Sequence, residues 1–202
     1  MLNSLVFISA EIHELTVLYW RIKKMVPLPW RRVKSWNCIK CGICCRDYHV
    51  VLNFTEWVNI VKDYGIEATM PTMDKLFLGK NSDGTCFFLT RSGNNCFCGL
   101  QYMKPLACKI WPFKITDKPK FGSPDEAIYT YRNNSFYIYV DRACKGLSWG
   151  NPSPEFKYRT LPEFIDVAVG LRKQQFHSTS KIQQRQSPNI FRGRDLFRNL
   201  ML

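Results

Sequence analysis

The chain has no apolar run that would cross a bilayer. Its most apolar stretch, MLNSLVFISAEIHELTVLYWRIKK at the N-terminus, is interrupted by Glu11, His13 and Glu14 and has no basic segment ahead of it. Neither a secretory signal nor a spanning helix fits such a stretch. Several catalytic signatures are also missing: a Walker phosphate loop, a glycine-rich dinucleotide fingerprint after a strand, and a nucleophile elbow. The C-x3-C-x2-C triplet of radical S-adenosylmethionine enzymes is absent, and no internal repeat is found. Histidine is scarce. His13 and His177 fall outside the cysteine-bearing region, and His49, at the head of YHVVLNF, reads as an ordinary strand residue before it reads as a ligand. Acidic residues are few, with 16 Asp+Glu against 29 Lys+Arg and a formal net charge of +13.

What is present begins with enough apolar material for one core. At 202 residues, 46% hydrophobic and 14% aromatic, the chain reads as a single domain with extensions that needs no metal merely to fold. The nine cysteines are too sparse for a disulfide-stapled miniprotein, and their odd number leaves one thiol out of any complete pairing. Without export, a cytoplasmic location and reduced thiols are expected, and clustered cysteines there hold metal or do redox chemistry more often than they form stable disulfides. Met25 opens MVPLPWRRVKSWNCIKC just ahead of the first cysteine, and it is expected to be the true start.

Three zones follow: residues 1–24 as an N-terminal extension, 25–170 as the functional domain, and 171–202 as a basic flexible tail with seven Lys/Arg against one Asp. NIFRGRDLFRNLML within the tail has the pattern of a short amphipathic helix, but a solvated basic tail is the simpler reading. Inside the domain, NFTEWVNIVKDYG predicts a helix capped by Asn53 or Thr55, with an apolar stripe of Trp57, Val58, Ile60, Val61 and Tyr64 and a stop at Gly65. EAIYTYRNNSFYIYVD predicts a hairpin turning at Asn133-Asn134. A second helix is expected from Pro162, with Phe164, Ile165, Ala168 and Leu171 on one side. Trp111, Pro112 and Phe113 are expected in the core. The fold class is α+β, a small cysteine-rich domain of short strands and a few helices around a metal centre.

The chemistry lies in the cysteines. Cys38, Cys41 and Cys44 recur every three residues in CIKCGICC, and Gly42 lets the backbone turn tightly so that three thiolates can converge. Zinc sites more often pair two separated C-x2-C knuckles, whereas C-x2-C-x2-C supplies ligands in the manner of cubane iron-sulfur proteins, so the spacing tilts toward iron-sulfur. Cys45 is adjacent to Cys44, and side chains on neighbouring residues diverge, so it is expected to face a second site or a distant partner. One shared cluster and two metal centres both stay open.

Downstream come G-x-C-x-F-L around Cys86, then Cys98 and Cys108 in CGLQYMKPLACKIWPF, then C-x-G-L-x-x-G from Cys144. This ordered series resembles the YkgJ family of cysteine-cluster proteins, the CxxCxxCC zinc- or iron-chelating domain, over roughly residues 36 to 150. The resemblance implies metal ligands at Cys38, Cys41, Cys44, Cys45, Cys86, Cys98, Cys108 and Cys144, with Cys96 left over as a spare thiol. Lys104 and Lys109 stand where the family usually has arginine, which keeps the charge but loses the planar guanidinium fork. A thiolate-rich site also needs nearby cations, and Lys40, Arg46, Lys104, Lys109 and Lys145 lie close to cysteines in the chain.

Three function classes stay open on this reading. The first is a metal-binding protein holding an iron-sulfur cluster or zinc. The second is a cluster-dependent modifying enzyme, since flagellin lysine N-methylases resemble the same cysteine pattern, although no methyl-donor region is apparent. The third is a basic protein that binds nucleic acid or an anionic surface nonspecifically through its tail. Metal binding ranks first.

Overall fold

The computed structural model describes residues 26–173 and 175–177. The N-terminal extension, Met25, and most of the basic tail with its amphipathic segment lie outside the described residues. Helices and short antiparallel strands are mixed along the chain, and the fold class is α+β, as expected. The described residues form two compact units, one built from residues 26–37 together with Ile110–Leu171, the other from Cys38–Lys109 with the few described residues after 171.

The first unit is organised by a four-stranded antiparallel sheet. Strand β1 (Leu28–Pro29) belongs to it, β2 (Val33–Trp36) follows outside it, and its centre is a strand of seven residues, Asn134–Val140. That central strand pairs with Phe113–Thr116 along one edge, and with Leu28–Pro29 and Ile128–Tyr131 along the other. The expected hairpin is there, one residue out of place. Arg132 and Asn133, with φ of 48° and 61°, form the two-residue turn, while Asn134 already belongs to the strand and its amide donates back to the Arg132 carbonyl (3.0 Å). Arginine in a left-handed position was not anticipated because Asn is the more usual occupant. A separate two-stranded ladder joins Val33–Trp36 to Leu147–Trp149.

The expected second helix begins earlier than Pro162. Helical backbone starts at Pro154, where the Ser153 hydroxyl accepts from the Phe156 N–H (3.2 Å), runs as a π-helix through Phe156–Thr160, and continues as an α-helix over Leu161–Ala168. Pro162 has no N–H to give to the preceding turn, and the wide π turn ahead of it accommodates that loss. Phe164 and Ile165 are buried as predicted, but Leu171 is exposed, because Gly170 ends the helix before it. Phe113, Phe156, Phe164 and Trp36 make the aromatic heart of this unit, and Pro112 is fully buried in it.

In the second unit a one-turn helix, α1 (Ile43–Arg46), is followed by β3 (Val51–Leu52) and α2 (Phe54–Tyr64). The predicted cap is Asn53: its side chain accepts from the Glu56 N–H (2.9 Å) while the Glu56 carboxylate accepts from the Asn53 N–H (3.0 Å), and Gly65 ends the helix at φ 86°. Ile60 is buried, Trp57 and Tyr64 pack on the core, and Val58 is turned outward. β4 (Thr69–Pro71) and β5 (Leu76–Leu78) complete a three-stranded sheet with β3, and β6 (Leu89–Ser92) and β7 (Asn95–Cys98) form a hairpin. A short helix, α3 (Leu106–Ile110), carries Cys108. The core of this unit is Leu52, Ile60, Ala68, Leu78, Cys86, Phe88 and Leu100.

Candidate metal centre

Glycine at position 42 determines the shape of the first cysteine segment. Gly42 is left-handed (φ 71°, ψ 8°) and starts α1, and Lys40 is left-handed as well (φ 56°), so the backbone reverses twice between Cys38 and Cys44. A Cβ on Gly42 would lie 2.6 Å from the Cys96 sulfur and 2.8 Å from its Cβ. Nothing but glycine fits there without movement. The Cys96 N–H donates to the Lys40 carbonyl (2.8 Å), which ties this loop to the β6–β7 hairpin. The leftover cysteine of the sequence reading is therefore a packing partner of the C-x2-C-x2-C loop.

Cys44 and Cys45 ride on α1 with their sulfurs 3.9 Å apart. The expectation that the two neighbouring side chains diverge is corrected. Successive helical side chains leave the axis about 100° apart, which rotamer choice closes here. Two thiolates on one tetrahedral metal with bonds of about 2.3 Å would be about 3.8 Å apart. The Cys45 carbonyl also accepts from the Cys86 N–H (2.7 Å), fixing the buried Cys86 beside the same turn.

The thiols of this unit influence one another electrostatically. The negative charge of an ionised Cys44 would reach Cys38, Cys86, Cys98 and Cys108, while Cys41 acts on Cys38, and Cys98 acts on Cys86 and Cys108. Burial is the main reason that the thiols of Cys38, Cys98 and Cys108 titrate above their usual range, and it pushes Cys86 up to about 11. At Cys44 the contact with Cys45 comes first and burial second. Lys104 opposes the rise at Cys38, Cys44, Cys98 and Cys108, and Lys80 opposes it at Cys86. Seven of the eight expected ligands, all but Cys144, thus belong to this unit, and Lys104 acts on four of them.

Cys144 belongs to the first unit. Its sulfur accepts a hydrogen bond from the Trp36 indole N–H (3.3 Å), and its own N–H donates to the Asp141 carbonyl (3.2 Å). Of the expected cations, Arg46 donates to the Cys41 carbonyl (3.1 Å), whereas Lys40 sits over the Phe97 ring and Lys145 is exposed. His49 stacks edge-on against Phe77.

Three contributors escaped the sequence reading. Lys80, six residues before Cys86, donates to the Arg46 carbonyl (2.7 Å) and is bridged to Cys86 through the backbone. Glu56 accepts from the Leu106 N–H (2.7 Å), so the carboxylate that caps α2 also anchors the start of the Cys108 helix. Trp36 is the third. Only the Glu56 capping box left a trace in sequence; the other two contacts span folds of the chain that spacing does not reveal.

The donor set fits a soft metal. All nine cysteines carry thiols rather than disulfides, and the vicinal pair already has the edge length of a tetrathiolate site. Among the described residues, no group of three Cys, His, Asp or Glu side chains has the spacing of a closed metal shell, so the thiols are gathered without being drawn onto one point. No helix among the described residues is long and apolar enough to cross a membrane.

Comparison with known proteins agrees with this donor set. An uncharacterized protein of Methanocaldococcus jannaschii is 22% identical over 148 residues, 69% of this chain and 72% of the relative. No solved structure matches the chain. Residues 37–145 match the family model CxxCxxCC, described as "Putative zinc- or iron-chelating domain". With its vicinal cysteine turn, its gathered thiols and that match over more than half its length, the chain belongs to the CxxCxxCC family.

Proposed function

We propose that this protein is a metal carrier or metal-stabilised protein that holds zinc or an iron-sulfur cluster through Cys38, Cys41, Cys44, Cys45, Cys86, Cys98, Cys108 and Cys144. What supports the reading is the vicinal Cys44–Cys45 pair, with sulfurs 3.9 Å apart, in a unit that carries seven of the eight thiols, four of which feel the charge of Lys104. Burial disfavours the charged form of the Cys38, Cys44, Cys86, Cys98 and Cys108 thiols, so metal entry must displace their protons. Lys104 and Lys80 then offset part of the thiolate charge, and the Arg46 and Glu56 contacts hold the backbones of Cys41 and of the Cys108 helix in place. Zinc would supply a redox-inert cross-link there, and an iron-sulfur cluster would add one-electron chemistry.

The basic tail that suggested nucleic-acid binding lies almost wholly outside the described residues, and neither the fold nor the family match supports that reading. No observation favours the modifying-enzyme alternative. The test is elemental analysis with ultraviolet-visible and electron paramagnetic resonance spectra on protein purified without oxygen. Brown protein with iron and inorganic sulfide identifies a cluster, colourless protein with stoichiometric zinc identifies a zinc site, and protein free of both metals refutes the proposal.

A further inference from the structure

We propose that the cysteine-bearing loops of the second unit form a docking surface for an acidic protein, a role separate from metal binding. Charge within this unit is segregated along the chain. The cysteine-bearing segments, residues 38–47 and 80–109, carry Lys40, Arg46, Lys80, Arg91, Lys104 and Lys109 against Asp47 and Asp83. The segment between them reverses the balance, with Glu56, Asp63, Glu67 and Asp74 against Lys62 and Lys75. Asp83 is turned in on its own loop, where it accepts from the Thr85 N–H (2.9 Å) and the Thr85 hydroxyl (2.6 Å).

These basic segments are bound to one another. The Lys40 carbonyl accepts from the Cys96 N–H (2.8 Å) and the Lys40 ammonium lies 5.7 Å from the centre of the Phe97 ring, which joins the first cysteine loop to the β6–β7 hairpin. Lys80 donates to the Arg46 carbonyl (2.7 Å) and the Cys86 N–H donates to the Cys45 carbonyl (2.7 Å), which joins the same loop to the segment ahead of that hairpin. Arg46 and Arg91 are exposed, and these segments also leave Ile39 52% and Phe87 41% exposed. One exposed apolar side chain means little, but apolar groups set among charged ones are the anatomy of a protein interface. Phosphates of a lipid or a nucleic acid would neutralise the cations and leave Ile39 and Phe87 in water, and the Phe97 face that Lys40 occupies is closed to a stacking base. A protein whose carboxylates surround apolar side chains satisfies both needs, and complementary charge steers its approach.

The probe is a synthetic peptide of glutamate and leucine, titrated into the full-length, isotope-labelled protein and followed by amide resonances and by stopped-flow fluorescence. Binding is expected to weaken as salt is added, with resonance shifts concentrated in residues 38–47 and 80–98 and none along α2. Lys40→Glu combined with Arg91→Glu should slow association about 10-fold or more. Phe87→Ser should speed dissociation about 5-fold to 30-fold, while Lys62→Glu on α2 should change neither rate. Should a variant fail to fold, the shift map of the unmutated protein decides. Equal binding of a glutamate-only peptide would reduce the surface to a general attractor of polyanions and overturn the proposal. Shifts centred elsewhere, rates indifferent to the charge reversals, tighter binding of anionic phospholipid vesicles or single-stranded RNA, self-association in place of peptide binding, or no binding at all would overturn it as well.

Discussion

Replacing Gly42 by alanine tests the loop that presents the first three cysteines. A non-glycine residue at φ 71° costs about 1–2 kcal/mol for the left-handed backbone alone. The new methyl would also meet the Cys96 sulfur at 2.6 Å and the Cys96 Cβ at 2.8 Å, where ordinary contact is about 3.4–4 Å, so either the loop or the β6–β7 hairpin must retreat by close to an ångström. Overpacking of that size costs about 1–3 kcal/mol. The sum is about 2–5 kcal/mol, and the retreat would lengthen the Cys96–Lys40 backbone bond and misplace Cys41 and Cys44. Denaturant unfolding of the metal-free protein reads the energy, and metal content after anaerobic purification reads the displacement. Cys96→Gly removes both clashing atoms, so the double variant should recover the overpacking part and keep only the backbone part. A loss under about 0.5 kcal/mol in Gly42→Ala, with full metal content, would refute the close approach.

Four further outcomes are expected. Serine at Cys38, Cys41 or Cys44 should lower metal content markedly, as should serine at Cys45, Cys86, Cys98, Cys108 or Cys144, while Cys96→Ser should leave it unchanged by elemental analysis; a uniform mild response across all nine would contradict the site. The metal-free protein should lose stability in alkali, because Cys86 titrates near 11 folded against an ordinary 9.0: the contribution is complete below about pH 9 and disappears as pH climbs through about 11, a trend that denaturant midpoints can follow and that metal loading should abolish. Glu56→Ala removes acceptors for the Asn53 and Leu106 N–H groups and should cost about 2–3 kcal/mol by chemical unfolding, with Glu56→Gln milder because its carbonyl still accepts one of them. Stripping the metal should lower the thermal midpoint by calorimetry, since ligands so dispersed in the chain convert binding free energy into folding free energy.

Much of the local structure could be read from residue patterns. Helix α2 was visible because its cap, its periodic apolar face and its closing glycine all lie within thirteen consecutive residues, and the 128–140 hairpin was visible for the same local reason. The turn was misplaced by one residue because Arg132 adopts a conformation usually left to Asn or Gly. The second helix was started late because Pro162 resembles a first-turn proline, and a π turn is invisible to a 3.6-residue periodicity. Within the candidate site, the thiol spacing and the role of Gly42 were legible. The Cys44–Cys45 separation was not, since it depends on rotamers, and the contacts of Lys80, Glu56 and Trp36 were not, since each joins residues far apart in the chain.

The pairing of Leu28 with Val140 has a consequence for the order of events during synthesis. The first strand emerges early but its partner emerges more than a hundred residues later, so Leu28–Pro29 cannot join the sheet of the first unit until Tyr139 and Val140 have left the ribosome. By then the whole segment from Cys38 to Lys109, with every cysteine except Cys144, has been made. Its own strands and helices pair over short distances and can assemble while the earlier strand waits. The thiols thus come into the world ahead of the frame, and the protein's last cysteine arrives just as that frame becomes able to shut.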